Sequence, residues 1–490
     1  MSQLKPKIKL HAEANKQIGL GHIFRMIALS NLLENNFECA FIILDEHKDL
    51  IELLKQQNCK LQFISNNISD KGVNNLDEVA TKNDIVVLDG YHYNTDYQQH
   101  IKNKIRCKLV CVDDIFSYPF VADVIINHAG GVTENNYKIS SYSKLLLGPS
   151  YAILRKEFYA VETKCESPAK IKHVFLNFGG SDPDNNTGKV VQELLNISDT
   201  IKISVVIGAA YGHHTLLKTI VKQHSSIKVY KNISAEKIVH LMKEADTAIC
   251  SASTISYEFC SITGLLFLVQ TADNQSSIFN FLISEKLALP YTWFNKMFFN
   301  KNISDVRKEQ VANQRKYFDG LAGTRLQKEF ILLYLKNNYF IRKAVAKDVD
   351  TYFKWANDKG VRENSFNSEP IAYSSHCKWF NTALQRKDTL LYIFTSGDNI
   401  PIASIRFKKE NDKAALSYLI DENFRGIGFG KRVIEEGTQI FFEENKEITK
   451  VIALVKNNNI PSIKGFQACE FEEIEYSKKN VKCFIKKLKT

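Results

Sequence analysis

The sequence predicts an α/β chain of three successive units, two built on parallel sheets and a third on a mixed, largely antiparallel one. Three observations point there. Between Lys7 and about Ser150 short apolar runs alternate with helical patterns, and the same alternation restarts near Lys172. Alternation of this kind marks parallel strands with helices on both faces. From Phe340 the order changes, with helical stretches first, then consecutive antiparallel strands and a glycine-rich turn. A chain of 490 residues has room for about three domains, and we place them at 1–155, 156–336 and 337–490.

Composition narrows the partners. With 44% hydrophobic and 24% charged residues the chain reads as an ordinary folded protein. The net charge of +11 suits anionic small molecules such as nucleotides or coenzyme A, and the lysines are scattered instead of gathered into the stripe that nucleic acid requires. The ten cysteines show no C-x-x-C pair and no zinc-like Cys/His spacing. They read as reduced thiols of a cytoplasmic protein, and no metal site is expected. No apolar stretch approaches the roughly 18 residues of a membrane span, so no membrane insertion is expected.

In the first unit strands are expected at Ile8–Ala12, Cys39–Leu44, Leu61–Ile64, Ile85–Asp89, Leu109–Asp113 and Val124–Asn127, with helices at His47–Gln57 and Asn94–Lys104. Ligands of such sheets bind beyond the carboxyl ends of the strands. Gly21-His22, Asp89-Gly90-Tyr91 and Asp113-Asp114 all fall at such ends and are expected to converge on one crevice. The stretch Ile18-Gly19-Leu20-Gly21-His22-Ile23-Phe24-Arg25 joins the first strand to a helix. Its glycines permit a tight turn, and the helix start offers N–H groups and a positive dipole end to a phosphate. His22 puts a proton-exchanging imidazole at that point.

The second unit repeats the plan, with strands expected at His173–Phe178, Ile201–Ile207, Ile227–Tyr230, Thr247–Cys250 and Leu265–Val269. Gly179-Gly180-Ser181-Asp182-Pro183 follows the first strand and precedes a helix, a geometry that cradles an anion. Ser253 and Thr254 open another helix, where they either donate to a diphosphate or simply cap. Glu258, one turn in, either accepts from ribose hydroxyls or lies on a solvated face. Asp273-Asn274-Gln275 opens the next helix, and Ser304–Asn338 reads as one amphipathic run.

Taken in order, Gly19-x-Gly21-His22-x-x-Arg25, Asp89-x-Tyr91, Leu147-Gly148-Pro149-x-Tyr151-x-x-Leu154-Arg155-x-x-Phe158, Phe178-Gly179-Gly180-Ser181-Asp182-Pro183 and Ser253-Thr254…Glu258…Asn274-Gln275 resemble the UDP-sugar hydrolases of pseudaminic acid biosynthesis, over roughly residues 7 to 330. The resemblance implies two Rossmann-like halves of the GT-B glycosyltransferase type, with water as acceptor. It implies hydrolysis of UDP-2,4-diacetamido-2,4,6-trideoxy-β-L-altropyranose, with His22, Tyr91 and Asn274 as catalytic residues and no metal. UDP-sugar contacts would come from Gly19, Gly21, Arg25, Arg155, Gly180, Ser181, Ser253, Thr254, Glu258 and Gln275. The loop before Glu258 departs from the family's glycine-rich pattern, reading Cys250-Ser251-Ala252-Ser253.

In the third unit Ile341–Ala344 starts a strand, helices follow through Asp348–Asn357 and Ser374–Arg386, and Leu391–Thr395, Pro401–Lys408 and Ala414–Ile420 form a meander. Arg425-Gly426-Ile427-Gly428-Phe429-Gly430-Lys431 comes next, directly before a helix at Arg432–Glu443, and successive N–H groups in such a turn make a nest for pyrophosphate. A dinucleotide fingerprint would need a βαβ crossover, which the meander argues against. The loop resembles the coenzyme A loop of GCN5-related (GNAT) N-acetyltransferases. Asn459-Ile460-Pro461-Ser462-Ile463-x-x-Phe466, after a strand at Val451–Val455, is similar to a further signature of that family, with Phe466 where many members carry a tyrosine proposed as general acid. The resemblance implies acetyl-CoA as cosubstrate, held by Leu419, Ile420, Arg425, Gly426, Ile427, Gly428, Phe429, Gly430, Lys431, Asn459 and Ser462. His376, Tyr418 and Tyr476 are candidates for the acid–base work. The stretch Arg362-x-x-Ser365-x-Asn367…His376-x-x-Trp379-Phe380 resembles acetyltransferases acting on amino sugars.

The two resemblances fit one sequence of reactions. Acetylation of the 4-amino group of UDP-4-amino-4,6-dideoxy-N-acetyl-β-L-altrosamine gives the substrate that the hydrolase would consume. The same two units acting on another UDP-amino sugar, or a GT-B glycosyltransferase fused to an acetyltransferase, are the alternatives.

Overall fold

The computed structural model describes residues 5–13, 21–44, 48–64, 76–159 and 169–488. Gly19 and the preceding turn lie outside the described residues. The chain forms two compact units, Lys7–Glu329 and Phe330 onward. Among the described residues no helix is long and apolar enough to cross a membrane.

The Lys7–Glu329 unit contains two parallel sheets. The first comprises β1 (Lys7–Ala12), β2 (Glu38–Leu44), β3 (Lys60–Ile64), β4 (Ile85–Asp89), β5 (Lys108–Val112), β6 (Val124–Asn127) and β7 (Lys144–Leu147), in the order β3-β2-β1-β4-β5-β6-β7. The second comprises β8 (His173–Asn177), β9 (Lys202–Ile207), β10 (Ile227–Lys231), β11 (Thr247–Ser251), β12 (Leu265–Val269) and β13 (Leu289–Pro290), in the order β10-β9-β8-β11-β12-β13. Both orders reverse once, between β1 and β4 and between β8 and β11, and the crevice at such a reversal is where doubly wound sheets bind ligands. Helices cover both faces, so central strands read as unbroken apolar runs; all five residues of β4 and of β11 are buried.

Local chemistry sets the helix ends. Asn94 accepts from Tyr97 N at 3.0 Å to open Thr95–Lys104. Asp182 accepts from the N–H groups of Asn186 and Thr187, at 2.9 and 2.7 Å, to open Asn186–Ile197. The expected run from Ser304 to Asn338 is instead two helices, Ser304–Tyr317 and Ala322–Leu335, separated at Gly320 with φ +76°. The first of them buries polar side chains. Gln314 exchanges hydrogen bonds with the backbone of Gly264 (both 2.9 Å) and donates to Leu287 O, while Gln310 accepts from Leu266 N at 2.9 Å.

From Phe330 onward a mixed sheet forms from β14 (Tyr339–Lys343), β15 (Thr389–Ser396), β16 (Pro401–Glu410), β17 (Lys413–Ile420), β18 (Lys450–Lys456), β19 (Glu472–Ile474) and β20 (Val481–Lys487), ordered β14-β15-β16-β17-β18-β20-β19. Every pairing is antiparallel except β17 with β18. That one parallel pairing runs only from Lys413↔Lys450 to Leu416↔Ala453. Beyond it the strands part, while β17 stays bonded to β16 as far as Ile420 and β18 to β20 as far as Lys456. A helix at Lys359–Asn364, opened by Asp358, is an element that the sequence reading does not contain.

The two parallel sheets meet where Gly130 N donates to the Tyr257 hydroxyl at 2.9 Å. A Cβ on Gly130 would fall 2.1 Å from the Phe281 ring. Gly130→Ala is therefore expected to overpack this junction and destabilise the Lys7–Glu329 unit by about 1–3 kcal/mol. Hydrogen exchange of its strands in urea measures this, and an unchanged exchange profile would contradict it.

Candidate active sites

At the first reversal, four strand ends deliver ionisable side chains to one place. The helix Gly21–Leu33, between β1 and β2, carries His22 and Arg25 toward the end of β4. β4 ends in Asp89, and Asp114 follows β5. His22 Nδ1 lies 2.7 Å from Asp89 Oδ1. Arg25 grips the same carboxylate through Nε (2.8 Å) and Nη2 (2.6 Å) and reaches Asp114 through Nη1 (2.7 Å) and Nη2 (2.9 Å). Burial opposes ionisation of Asp114, but Arg25 more than offsets it and holds the carboxyl down at about 2. Burial likewise works against charge on Arg25, and Asp114 and Asp89 outweigh it, raising its pKa well above the ordinary value. His22 Nδ1 lies between Asp89 Oδ1 and Arg25 Nη2 (3.0 Å), which fixes the ring and leaves Nε2 as the ring atom that can face a ligand.

Tyr91, two residues past β4, packs its ring edge-on against His22 with centroids 5.0 Å apart. Burial and Asp114 raise its phenol pKa, and a side-chain hydrogen bond to Asn274 works in the other direction. His22, Tyr91 and Asn274 thus meet across the two parallel sheets. The loop holding Tyr91 is itself fixed: Glu13 accepts from Tyr91 N at 3.0 Å and from His92 Nδ1 at 2.6 Å. His128, just beyond β6, is buried, accepts from Ile153 N at 3.2 Å and is pushed down to about 4 by burial and by Arg25, so it is neutral at physiological pH.

At the second reversal lie Gly179-Gly180-Ser181 and the start of Thr254–Ile262. Gly179 has φ +87°, and Gly180 approaches Gly208 so closely that a Cβ on Gly208 would meet its Cα at 2.5 Å. Gly179, Gly180 and Ser181 are exposed, as an anion cradle requires. Ser253 stands at the cap position without a side-chain capping bond, its hydroxyl 3.0 Å from that of Ser251. Gly21 is likewise exposed.

Several expected ligand contacts are engaged within the protein. Arg25 is committed to two carboxylates, so it organises the site instead of presenting its fork to a substrate. Arg155 and Glu258 form a bidentate pair with each other at 2.7 and 2.5 Å. Glu258 is buried, not on a solvated face, and any ribose contact would have to share its oxygens with Arg155. The Gln275 amide turns back on Thr271, accepting from its N–H at 2.9 Å, which fixes the turn that presents Asn274.

In the C-terminal unit Gly426 (φ +75°) and Gly428 (φ +83°) adopt backbone that side chains resist, and a Cβ on either would meet open space. The turn they form leads straight into Phe429–Glu444, so the N–H groups of Gly426 to Gly430 are offered together at a helix start. The side chains do other work. Ile427 and Phe429 are core residues, and Arg425 donates to Ile420 O (2.9 Å) and pairs with Asp358 (2.9 Å). What these residues can offer a ligand is their backbone. Lys431 is exposed at the helix start.

Leu419 and Ile420 lie on the part of β17 that has left β18, where main-chain groups face a gap and can bond an extended ligand. Tyr418 sits on the same stretch, with its hydroxyl 3.0 Å from Ser462 Oγ, and Asn459 caps the helix Ile460–Ala468 by accepting from Ser462 N. Phe466 is buried beside Tyr418, ring centroids 5.8 Å apart. His376 is no base for an acceptor. It is 1% exposed, its Nε2 is 3.2 Å from Val349 O, its ring stacks on Phe380, and burial lowers its pKa. Tyr476 is exposed, beyond β19. Among the described residues no group of three His, Cys, Asp or Glu is placed to hold a metal ion.

Comparison with known proteins agrees with this geometry at the C-terminal end. Residues 339–472 match the acetyltransferase (GNAT) domain family. The chain therefore ends in a GNAT domain, an N-acetyltransferase that takes its acetyl group from acetyl-CoA and passes it to an amine. An uncharacterized protein of Methanocaldococcus jannaschii, MJ1062, is 24% identical over 490 residues, spanning 97% of this chain and 98% of that one. The spore coat polysaccharide biosynthesis protein SpsG of Bacillus subtilis is 22% identical over 282 residues, 55% of this chain and 79% of its own length. Among solved structures, spermidine N-acetyltransferase from Vibrio cholerae, in complex with CoA and spermine, is 14% identical with a TM-score of 0.29, over 31% of this chain and 96% of that one. A domain from Methanocaldococcus jannaschii is 20% identical with a TM-score of 0.27, over 31% and 98%.

The Arg25 bridge makes a pH prediction. Asp114 has a folded pKa of about 2 against an ordinary 3.8, so it contributes stability, about 2 kcal/mol, that is complete above pH 5 and lost as pH falls toward 2. Arg25→Gln removes the cause of the depression. The variant is expected to unfold at higher pH than the parent in an acid titration followed by circular dichroism; coincident acid midpoints would refute the assignment.

Proposed function

We propose that the chain performs two consecutive reactions on a UDP-linked amino sugar. Its C-terminal domain, 337–490, acetylates the sugar's 4-amino group, and its N-terminal halves, 1–155 and 156–336, arranged in the GT-B manner, hydrolyse the acetylated UDP-sugar to UDP and free sugar. The preferred substrate is UDP-4-amino-4,6-dideoxy-N-acetyl-β-L-altrosamine, and the intermediate is UDP-2,4-diacetamido-2,4,6-trideoxy-β-L-altropyranose. The observation that carries the reading is the meeting of His22 with Asp89 on one side and with Tyr91 and Asn274 on the other, at the reversal of a doubly wound sheet.

Each part then has a chemical task. His22, its Nδ1 proton held by Asp89, takes a proton at Nε2 from the water that attacks the anomeric carbon. The bond from that carbon to the diphosphate oxygen breaks, and UDP leaves with the electron pair. The glycines at 179 and 180 and the helix start at Ser253-Thr254 receive the diphosphate. Tyr91 and Asn274, joined to each other, hold the sugar against His22. In the C-terminal domain the backbone of Gly426–Gly430 holds the pyrophosphate of acetyl-CoA and the parted end of β17 lies along its extended arm; bound there, acetyl-CoA supplies the thioester. In this reading Tyr418, its hydroxyl beside Ser462 Oγ, protonates the departing thiolate once the amine has added to the carbonyl.

His22→Ala is expected to lower UDP release by about a hundredfold or more while acetyl transfer, read as CoA thiol formation, continues at the parent rate. Assays with acetyl-CoA and the UDP-amino sugar, each omitted in turn, check this. UDP release that survives the substitution, or that precedes acetylation, would overturn the reading.

A further inference from the structure

A second feature of the C-terminal domain bears on what its acceptor must carry. At the C-terminal end of β18, Lys456, Asn457, Lys478, Lys479, Asn480 and Phe366 line a cavity of about 530 Å³. Among the described residues that line it none is acidic, so it holds three lysines against no carboxylate. Phe366 presents its ring there although it is 53% exposed, with Lys478 Nζ 5.2 Å from the ring centroid. The walls are built. Arg362 donates to Asn367 O (3.1 Å), Glu369 O (3.2 Å) and Ser365 Oγ (2.9 Å), which pins the loop carrying Phe366. Asn457 N donates to Asn480 O at 3.1 Å, tying the end of β18 to the segment bearing Lys478 and Lys479, and Lys456 Nζ donates to Glu363 O at 3.0 Å. The cavity begins at Lys456, the last residue of β18, and three residues further on Asn459 positions Ser462 against Tyr418.

Such a lining repels a polycation and attracts phosphate, and a pinned, exposed aromatic ring offers a face to a base. We propose that this cavity seats the nucleoside diphosphate of the acceptor, its lysines taking the diphosphate and Phe366 stacking on the base, so that the domain selects amines attached to a nucleotide. The inference rests on the reading of the acceptor as a nucleotide-linked amino sugar and assigns the residues that enforce it. The pinning by Arg362 also explains the Arg362-x-x-Ser365-x-Asn367 pattern as a scaffold for the loop.

Calorimetric titration of the full chain, saturated with acetyl-CoA, tests it with UDP and inorganic pyrophosphate as probes. The paired substitution Lys478→Ala and Lys479→Ala is expected to remove one equivalent of UDP binding. Phe366→Ala is expected to weaken UDP about tenfold or more and leave pyrophosphate unchanged. If the N-terminal site also takes UDP, binding falls from two equivalents to one; if that site fails, it falls from one to none, so the two readings separate. UDP bound in equal amount by parent and lysine variant would overturn the proposal. So would equal kcat/KM for the UDP-linked amino sugar and the same sugar without its nucleotide.

Discussion

The structure of the first site depends on one guanidinium. Two carboxylates, Asp89 and Asp114, come to the same crevice because two neighbouring parallel strands end there, and two buried anions close together disfavour each other's ionisation. Arg25 resolves the conflict by bridging them. Asp89 Oδ1 and Arg25 Nη2 both reach His22 Nδ1, so the gripped carboxylate and its guanidinium hold the imidazole in one orientation. The imidazole, the aspartate and the arginine therefore form a single unit, and the second aspartate, gripped by the same guanidinium, balances its charge.

This arrangement explains what could and could not be read from the sequence. Strands covered on both faces announce themselves: Ile85–Asp89, Val124–Asn127 and Leu265–Val269 stand between the same limits in sequence and structure, because every residue in such a run must be apolar or paired. Polar burial does not announce itself. Gln310 and Gln314 lie on the packed face of Ser304–Tyr317, where apolar periodicity gives no hint that amides satisfy strand backbone. His22 and Tyr91 could be placed at strand ends from motif position. The same reading put Asp89 and Asp114 in their crevice; what it could not show is that Arg25 reaches Asp114 across 89 residues and that Arg155 locks onto Glu258 across 103. Residues expected to greet a ligand turned out to hold each other. His376 misled for a related reason, because a histidine three residues before a tryptophan on a helix can as easily be packed inward as displayed.

The two parallel sheets use one solution twice. Each reverses its strand order once, and each puts a glycine and a helix start at that reversal. The first sheet adds the titratable groups and the second adds the exposed, small and hydroxylated ones. A substrate with a reactive centre at one end and a diphosphate at the other is matched to such a division, since proton transfer needs desolvated, oriented side chains whereas an anion is held well by backbone alone.

The parting of β17 from β18 has a consequence for the acetyltransferase when it is empty. A sheet interrupted in mid-course leaves main-chain donors and acceptors to be satisfied from outside the ladder, as Arg425 Nε does for Ile420 O. An elongated molecule with amide groups that enters the gap becomes, in effect, a temporary strand. A ligand bound in that way links its affinity to the integrity of the sheet, and a domain that holds it resists unfolding more than one that does not. The interruption is thus a place in the architecture that a strand-like ligand would complete on binding and reopen on leaving.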